Sequence, residues 1–104
     1  MRQYTTPEQT TKLIELGFEK PKGYGYMGKE EDSQVMQIFN SSDYSIGELI
    51  GMLPEYIHIY NLRSEFSGEW FWNVTLLYRE NIKSKELVDA LFDLIVELKE
   101  EGVI

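Results

Sequence analysis

The chain divides into segments of two hydrophobic periods. From Ser84 to Ile104 the apolar residues Leu87, Val88, Leu91, Phe92, Ile95 and Leu98 recur at three- and four-residue steps, the spacing of one face of an α-helix. Between Tyr56 and Tyr78 the period shortens to two. Ile57 and Ile59 alternate with Tyr56, His58 and Tyr60, and Trp70, Trp72, Val74, Leu76 and Tyr78 alternate with Phe71, Asn73 and Thr75. This predicts strands over 56–62 and 69–78, close enough in sequence for an antiparallel hairpin. One hairpin face is far more apolar than the other, and the helical stripe needs a surface to cover it. The pattern therefore predicts that these two surfaces meet, leaving Tyr56, His58, Tyr60 and Phe71 on the outer side.

Two shorter helices are marked by their ends. Thr6-Pro7-Glu8-Gln9 combines a capping hydroxyl, a proline that needs no amide proton at the first helical position, and a glutamine able to complete a capping box. Leu13, Ile14 and Leu16 follow as the inward side, and Gly17 and Pro21 close the segment. Ser45 with Glu48 repeats the capping signature ahead of Ile46, Leu49, Ile50 and Leu53, and Pro54 ends that helix. Gly47 and Gly51 lie on one face of it, which predicts a close neighbour there. The long helix is expected to start at a Ser84 cap and stop at Gly102. Val35 to Phe39 alternates weakly, as a short strand would, and Lys22 to Ser33 reads as a loop or loose hairpin. The fold class is α+β: an antiparallel sheet built from the 56–62/69–78 hairpin, with a short strand at 35–39, packed on one face by the C-terminal helix and the two shorter ones.

Composition adds boundaries to this picture. The 104 residues form one domain, 42% hydrophobic and 27% charged, apolar enough to bury a single core. Ten basic against 18 acidic residues give a formal charge of −8, which opposes direct binding to nucleic acid. With no cysteine, disulfides, thiolate catalysis and cysteine-based metal sites are all removed, in keeping with a cytoplasmic protein. Met1 to Leu16 has no apolar core of signal-peptide length, and no run approaches the ~20 apolar residues of a membrane span. The expectation is a soluble, unprocessed chain with no membrane association.

Few residues suggest chemistry. Gly23-Tyr24-Gly25-Tyr26-Met27-Gly28 matches the G-x-G-x-x-G pattern, but it lies between Pro21-Lys22 and the anionic Glu30-Glu31-Asp32, where a pyrophosphate would be repelled, so no dinucleotide cofactor is expected. His58 is the single histidine, without a local nucleophile motif beside it; no catalytic or metal-binding residue is assigned. Asp89, Asp93, Glu97 and Glu101 fall at successive i+4 steps, a spacing at which like charges destabilise a helix by roughly 0.2–0.5 kcal/mol per pair. A solvated face, a basic partner or mimicry of a nucleic-acid backbone would each account for it.

Three segments carry a resemblance. Leu13-Ile14-Glu15-Leu16-Gly17, Tyr44-Ser45-Ile46-Gly47-Glu48-Leu49-Ile50-Gly51-Met52-Leu53-Pro54, and the stretch from Glu86-Leu87-Val88-Asp89-Ala90-Leu91-Phe92 to Glu101-Gly102-Val103-Ile104 occur in an order that resembles a group of small bacterial proteins associated with phages and prophages. The resemblance implies a mobile-element protein of the bacterial cytoplasm whose partner is a host or phage protein, and it brings no catalytic set. The leading expectation is thus a non-enzymatic protein-binding module using Tyr56, His58, Tyr60, Phe71, Asp89, Asp93 and Glu97, with the aromatic face covered by a partner, by the chain's own loop or in a homodimer. An acidic DNA mimic that inhibits a DNA-binding protein is the alternative. A small enzyme centred on His58, or on carboxylates of the Glu30 loop, is the lesser one.

Overall fold

Helix α3 (Leu87–Glu100) buries Leu87, Val88, Ala90, Leu91, Leu94, Ile95 and Leu98. Among the described residues these side chains make up more than half of the buried apolar core, so the final helix is the organising element of the fold. The computed structural model describes residues 1–21, 24–29, 36–40, 42–76 and 79–104, with backbone alone for 24–29 and 36–40. Around α3 are helices α1 (Pro7–Glu15) and α2 (Ile46–Met52) and strands β1 (Tyr24–Lys29), β2 (Met36–Asn40), β3 (Ile57–Arg63), β4 (Trp70–Leu76) and β5 (Ile82–Ser84).

The strands form two antiparallel sheets. The larger has the order β3-β4-β5, with Ile57 opposite Leu76 and Arg63 opposite Trp70 in the first pair, and Trp72 opposite Ser84 in the second. Its inner face presents Val74 and Leu76, fully buried or nearly so, with Ile57, Ile59, Trp72 and Ile82 packed around them. Helix α3 lies chiefly over β4 and β5. The predicted contact between the helical stripe and the apolar side of the hairpin is therefore present, in an α+β arrangement.

Several local expectations change. Ser84 does not cap α3; it ends β5, and the cap position falls to Glu86, which makes no capping hydrogen bond. A three-residue strand is too short to leave a period in the sequence. The short strand expected at 35–39 is β2 (Met36–Asn40), and it pairs with β1 in a hairpin of its own, with Tyr24 opposite Asn40, so the third strand of the main sheet is β5. Gly25 and Gly28 lie within β1, an antiparallel strand, and not at a strand-to-helix turn. Val35, Gly23, Tyr78 and the Glu30-Glu31-Asp32 run lie outside the described residues, as do the side chains of Tyr24 and Tyr26. Among the described residues a Cβ built on Gly51 meets nothing within 4 Å, and one on Gly47 meets only Ser45 Oγ at 3.9 Å, so no described neighbour crowds that face of α2.

Both capping boxes are formed. Thr6 Oγ1 accepts from Gln9 N at 3.2 Å while Gln9 Oε1 accepts from Thr6 N at 3.0 Å, and Ser45 and Glu48 repeat the exchange at 3.1 and 3.3 Å. Gly17 ends α1 with φ +103° and Gly102 ends α3 with φ +78°, the left-handed conformation that glycine adopts without strain. The segment before α1 runs across the start of α2: Thr5 N donates to Tyr44 O at 2.9 Å and Ile46 N to Gln3 O at 3.2 Å. Arg2 joins it to α3, its Nη2 reaching Asp89 Oδ1 at 2.5 Å and its backbone N–H reaching Glu86 Oε2 at 2.8 Å.

Candidate functional site

The hairpin register decides which side chains share the outer face, because residues opposite one another in an antiparallel pair project to the same side. His58 stands opposite Thr75, Tyr60 opposite Asn73 and Leu62 opposite Phe71, while Lys83 of β5 lies beside Asn73. Tyr56, just before β3, is 68% exposed, Leu62 55% and Tyr60 39%. Phe71 is half-buried, with the Lys83 ammonium 4.8 Å from its ring centre, a cation–π distance.

This face is not bare throughout. Asn73, expected on it, is only 2% exposed. Asn81 Nδ2 donates to its Oδ1 at 2.5 Å, and its own Nδ2 donates to Phe71 O at 3.2 Å, so a carboxamide pair closes the middle of the sheet. Trp70 belongs by alternation to the inner face, yet it is 58% exposed because it sits at the end of the hairpin far from the buried part of the sheet.

The tip is held in one shape. Ser64 Oγ accepts from Phe66 N and Ser67 N at 3.3 Å each, Ser64 N donates to Glu69 O at 2.7 Å, and Gly68 turns the chain with φ +74°. Arg63 Nε adds a bond to Gly68 O at 3.1 Å. This turn carries Phe66 fully into solvent. Between the tip and β5 the outer face dips into an open depression of 410 Å³ walled by Leu62, Phe66, Phe71, Asn81 and Lys83. Apolar walls of Leu62, Phe66 and Phe71, with Arg63, Glu65, Lys83 and the carboxamides of Asn73 and Asn81 around them, suit side chains of another protein.

Neither other candidate gathers a reactive set. His58 is exposed, and the hydroxyl of its cross-strand neighbour Thr75 is engaged by the carbonyls of Leu76 and Arg79 at 3.2 and 3.4 Å. Among the described residues no group of three or more histidines or carboxylates could hold a metal ion. The acidic stripe of α3 is largely answered from within the chain. Arg2 and Gln9 hold Asp89 Oδ1 at 2.5 and 2.8 Å, and Arg79 spans Glu97 at 3.1 Å and Glu101 at 2.6 Å. The hydrogen bond from Arg79 holds the Glu101 carboxyl below its ordinary pKa. Asp93, between the two clamps, is pushed the other way by burial and by the neighbouring Asp89.

Of the seven residues expected to bind a partner, Tyr56, His58, Tyr60 and Phe71 share one side of the sheet, while Asp89, Asp93 and Glu97 lie on α3, which packs on the other side. The period-two reading passed over Leu62, Phe66, Asn81 and Lys83, and it placed Trp70 inside where the structure exposes it. For Phe66 a signal existed: a large aromatic inside the polar run Ser64-Glu65-Phe66-Ser67-Gly68 has no core to reach. No protein-family model, curated protein or solved structure matches the chain.

Proposed function

We propose that the chain is a non-enzymatic protein-binding module whose contact surface is the outer face and tip of the β3–β4 hairpin. The observation that carries this reading is the run of exposed apolar side chains, Tyr56, Tyr60, Leu62 and Phe66, along one side of a hairpin whose tip is fixed by its own hydrogen bonds. Presenting aromatics on a rigid scaffold lowers the ordering cost of association, and such residues supply most of the energy in protein interfaces. The setting implied by the resemblance to phage-associated proteins makes a host or phage protein the partner. Mimicry of a nucleic-acid backbone is the weaker reading, because three of the four carboxylates in the acidic stripe are already paired with Arg2 or Arg79.

The test places a photo-crosslinking amino acid at position 62 or 66, with position 11 on α1 as control, in a host extract. One adduct of defined mass from 62 and 66, absent from 11, is expected. Substituting Leu62→Asp together with Phe66→Asp should weaken binding of that protein at least tenfold, the loss typical of central interface anchors. Indiscriminate labelling from all three positions, or none from any, would reject the reading.

A further inference from the structure

The two edges of the main sheet differ. β5 is three residues long, whereas β3 presents seven, and no other described strand pairs with its outer side. Sheets normally protect such an edge with proline, bulges or charges. β3 has no proline, its pairing with β4 runs without a register shift, and its single Lys, Arg, Asp or Glu is the terminal Arg63.

The direction of the backbone groups follows from the turn. Ser64 N donates to Glu69 O, which sets the phase of the ladder, and in an antiparallel ladder hydrogen-bonded and non-hydrogen-bonded pairs alternate. Leu62, Tyr60 and His58 therefore spend their N–H and C=O groups on β4. Ile57, Ile59, Asn61 and Arg63 turn theirs toward the open edge, a row of donors and acceptors that another strand can satisfy.

We propose that this edge pairs with the same edge of a second copy, antiparallel, about a two-fold axis at Ile59. Charge selects both the occupant and the register. Glu55, at the bend two residues before β3, and Arg63, the last residue of β3, lie four residues to either side of Ile59; both are exposed, neither belongs to any described ion pair, and Arg63 is bonded through Nε to Gly68 O. A two-fold at Ile59 sets each Arg63 opposite Glu55 of the second copy, twice by symmetry. It also makes Ile59 face its own counterpart as a hydrogen-bonded pair, and Ile57 face Asn61. On the outer side Tyr56 covers Leu62 and His58 lies against Tyr60. A two-fold at Tyr60 would set Arg63 against Ile57 and leave Glu55 unanswered. Registers that pair odd-numbered with even-numbered residues put edge-facing backbone groups opposite spent ones and mismatch the two faces.

The product is a continuous six-stranded sheet with both copies of α3 on one side and both aromatic faces on the other. This goes beyond the protein-binding reading and does not rest on it, since it is argued from the backbone groups of the β3 edge, although the pairing brings Tyr56 and Leu62 of the outer face together at its margin. A strand-edge interface is smaller than the standard protein–protein contact, so dissociation in the range of about 1–100 μM is expected.

Sedimentation equilibrium on the intact chain tests the proposal. The unaltered protein should associate to a dimer and no further. Asn61→Pro removes an edge-facing N–H without touching a bond to β4, and should raise the dissociation constant at least tenfold with an unchanged circular dichroism spectrum. Glu55→Arg, on the surface, turns two attractions into repulsions and should weaken the dimer about tenfold, and adding Arg63→Glu to it should bring affinity back to within about threefold. A chain that stays monomeric up to about 300 μM, far above the expected dissociation constant, would overturn the proposal. So would a dimer indifferent to Asn61→Pro, or a charge swap that restores nothing.

Discussion

At the scale of single residues, Tyr44 shows how one side chain serves core and surface together. Its ring is 1% exposed in the main core, and its hydroxyl donates to the carbonyl of Glu19, tying the end of the chain's first helical region to the start of α2. Burial, and then the charge of Glu48, raise its pKa above the ordinary 10.0. The folded state therefore resists ionisation that the unfolded chain accepts. Stability is complete below the ordinary tyrosine pKa and falls as pH rises from there through the raised value. Tyr44→Phe should cost about 1 kcal/mol at neutral pH through the lost hydrogen bond. The gap to the unaltered protein should narrow in alkaline solution, because phenylalanine has no proton to lose. Denaturant titrations at neutral and alkaline pH would measure both effects.

At the scale of elements, α2 is held below its intrinsic stability by glycine. Gly51 is exposed, its φ is not in the left-handed range, and an added Cβ meets no atom within 4 Å. Gly51→Ala should therefore stabilise the fold by about 0.5–1 kcal/mol, seen as a higher midpoint in thermal unfolding. The residue borders an open depression of 380 Å³ lined by Phe18, Tyr44, Glu48 and Met52, so the methyl group has room. What was legible in the sequence at this scale was whatever is encoded locally. The two capping boxes, the glycine ends of α1 and α3, the buried stripe of α3 and the β3–β4 pairing all follow from spacings of a few residues. What was not legible depends on residues that meet only after folding. β5 exists because Ile82 and Ser84 find Val74 and Trp72, and Asn73 leaves solvent because Asn81 returns to it. The aromatic side of the hairpin could be read from alternation, whereas its lower wall of Asn81 and Lys83 arrives from another strand and its connection.

For the molecule as a whole, the balance of charge has a measurable result. The formal charge of −8 is spread over a surface on which Arg2, Arg79 and Lys85 make the described ion pairs, leaving acidic repulsion in excess. Raising salt from about 10 mM to about 150 mM shortens the Debye length from roughly 30 Å to 8 Å, which weakens long-range repulsion more than pairs in contact. The melting temperature should rise over that interval. A fall would mean that the clamps of Arg2 and Arg79 outweigh the net repulsion.

The anchoring of Arg2 on Asp89 also orders events in time. During synthesis Arg2 emerges well before the carboxylate that holds it, which lies 87 positions further along the chain. Such a long loop must close before that contact gains anything, so local helices and the β3–β4 hairpin form earlier. Arg2 is thus made well before its anchor and fastened after the local elements, and a nascent chain stalled before Asp89 would carry it loose.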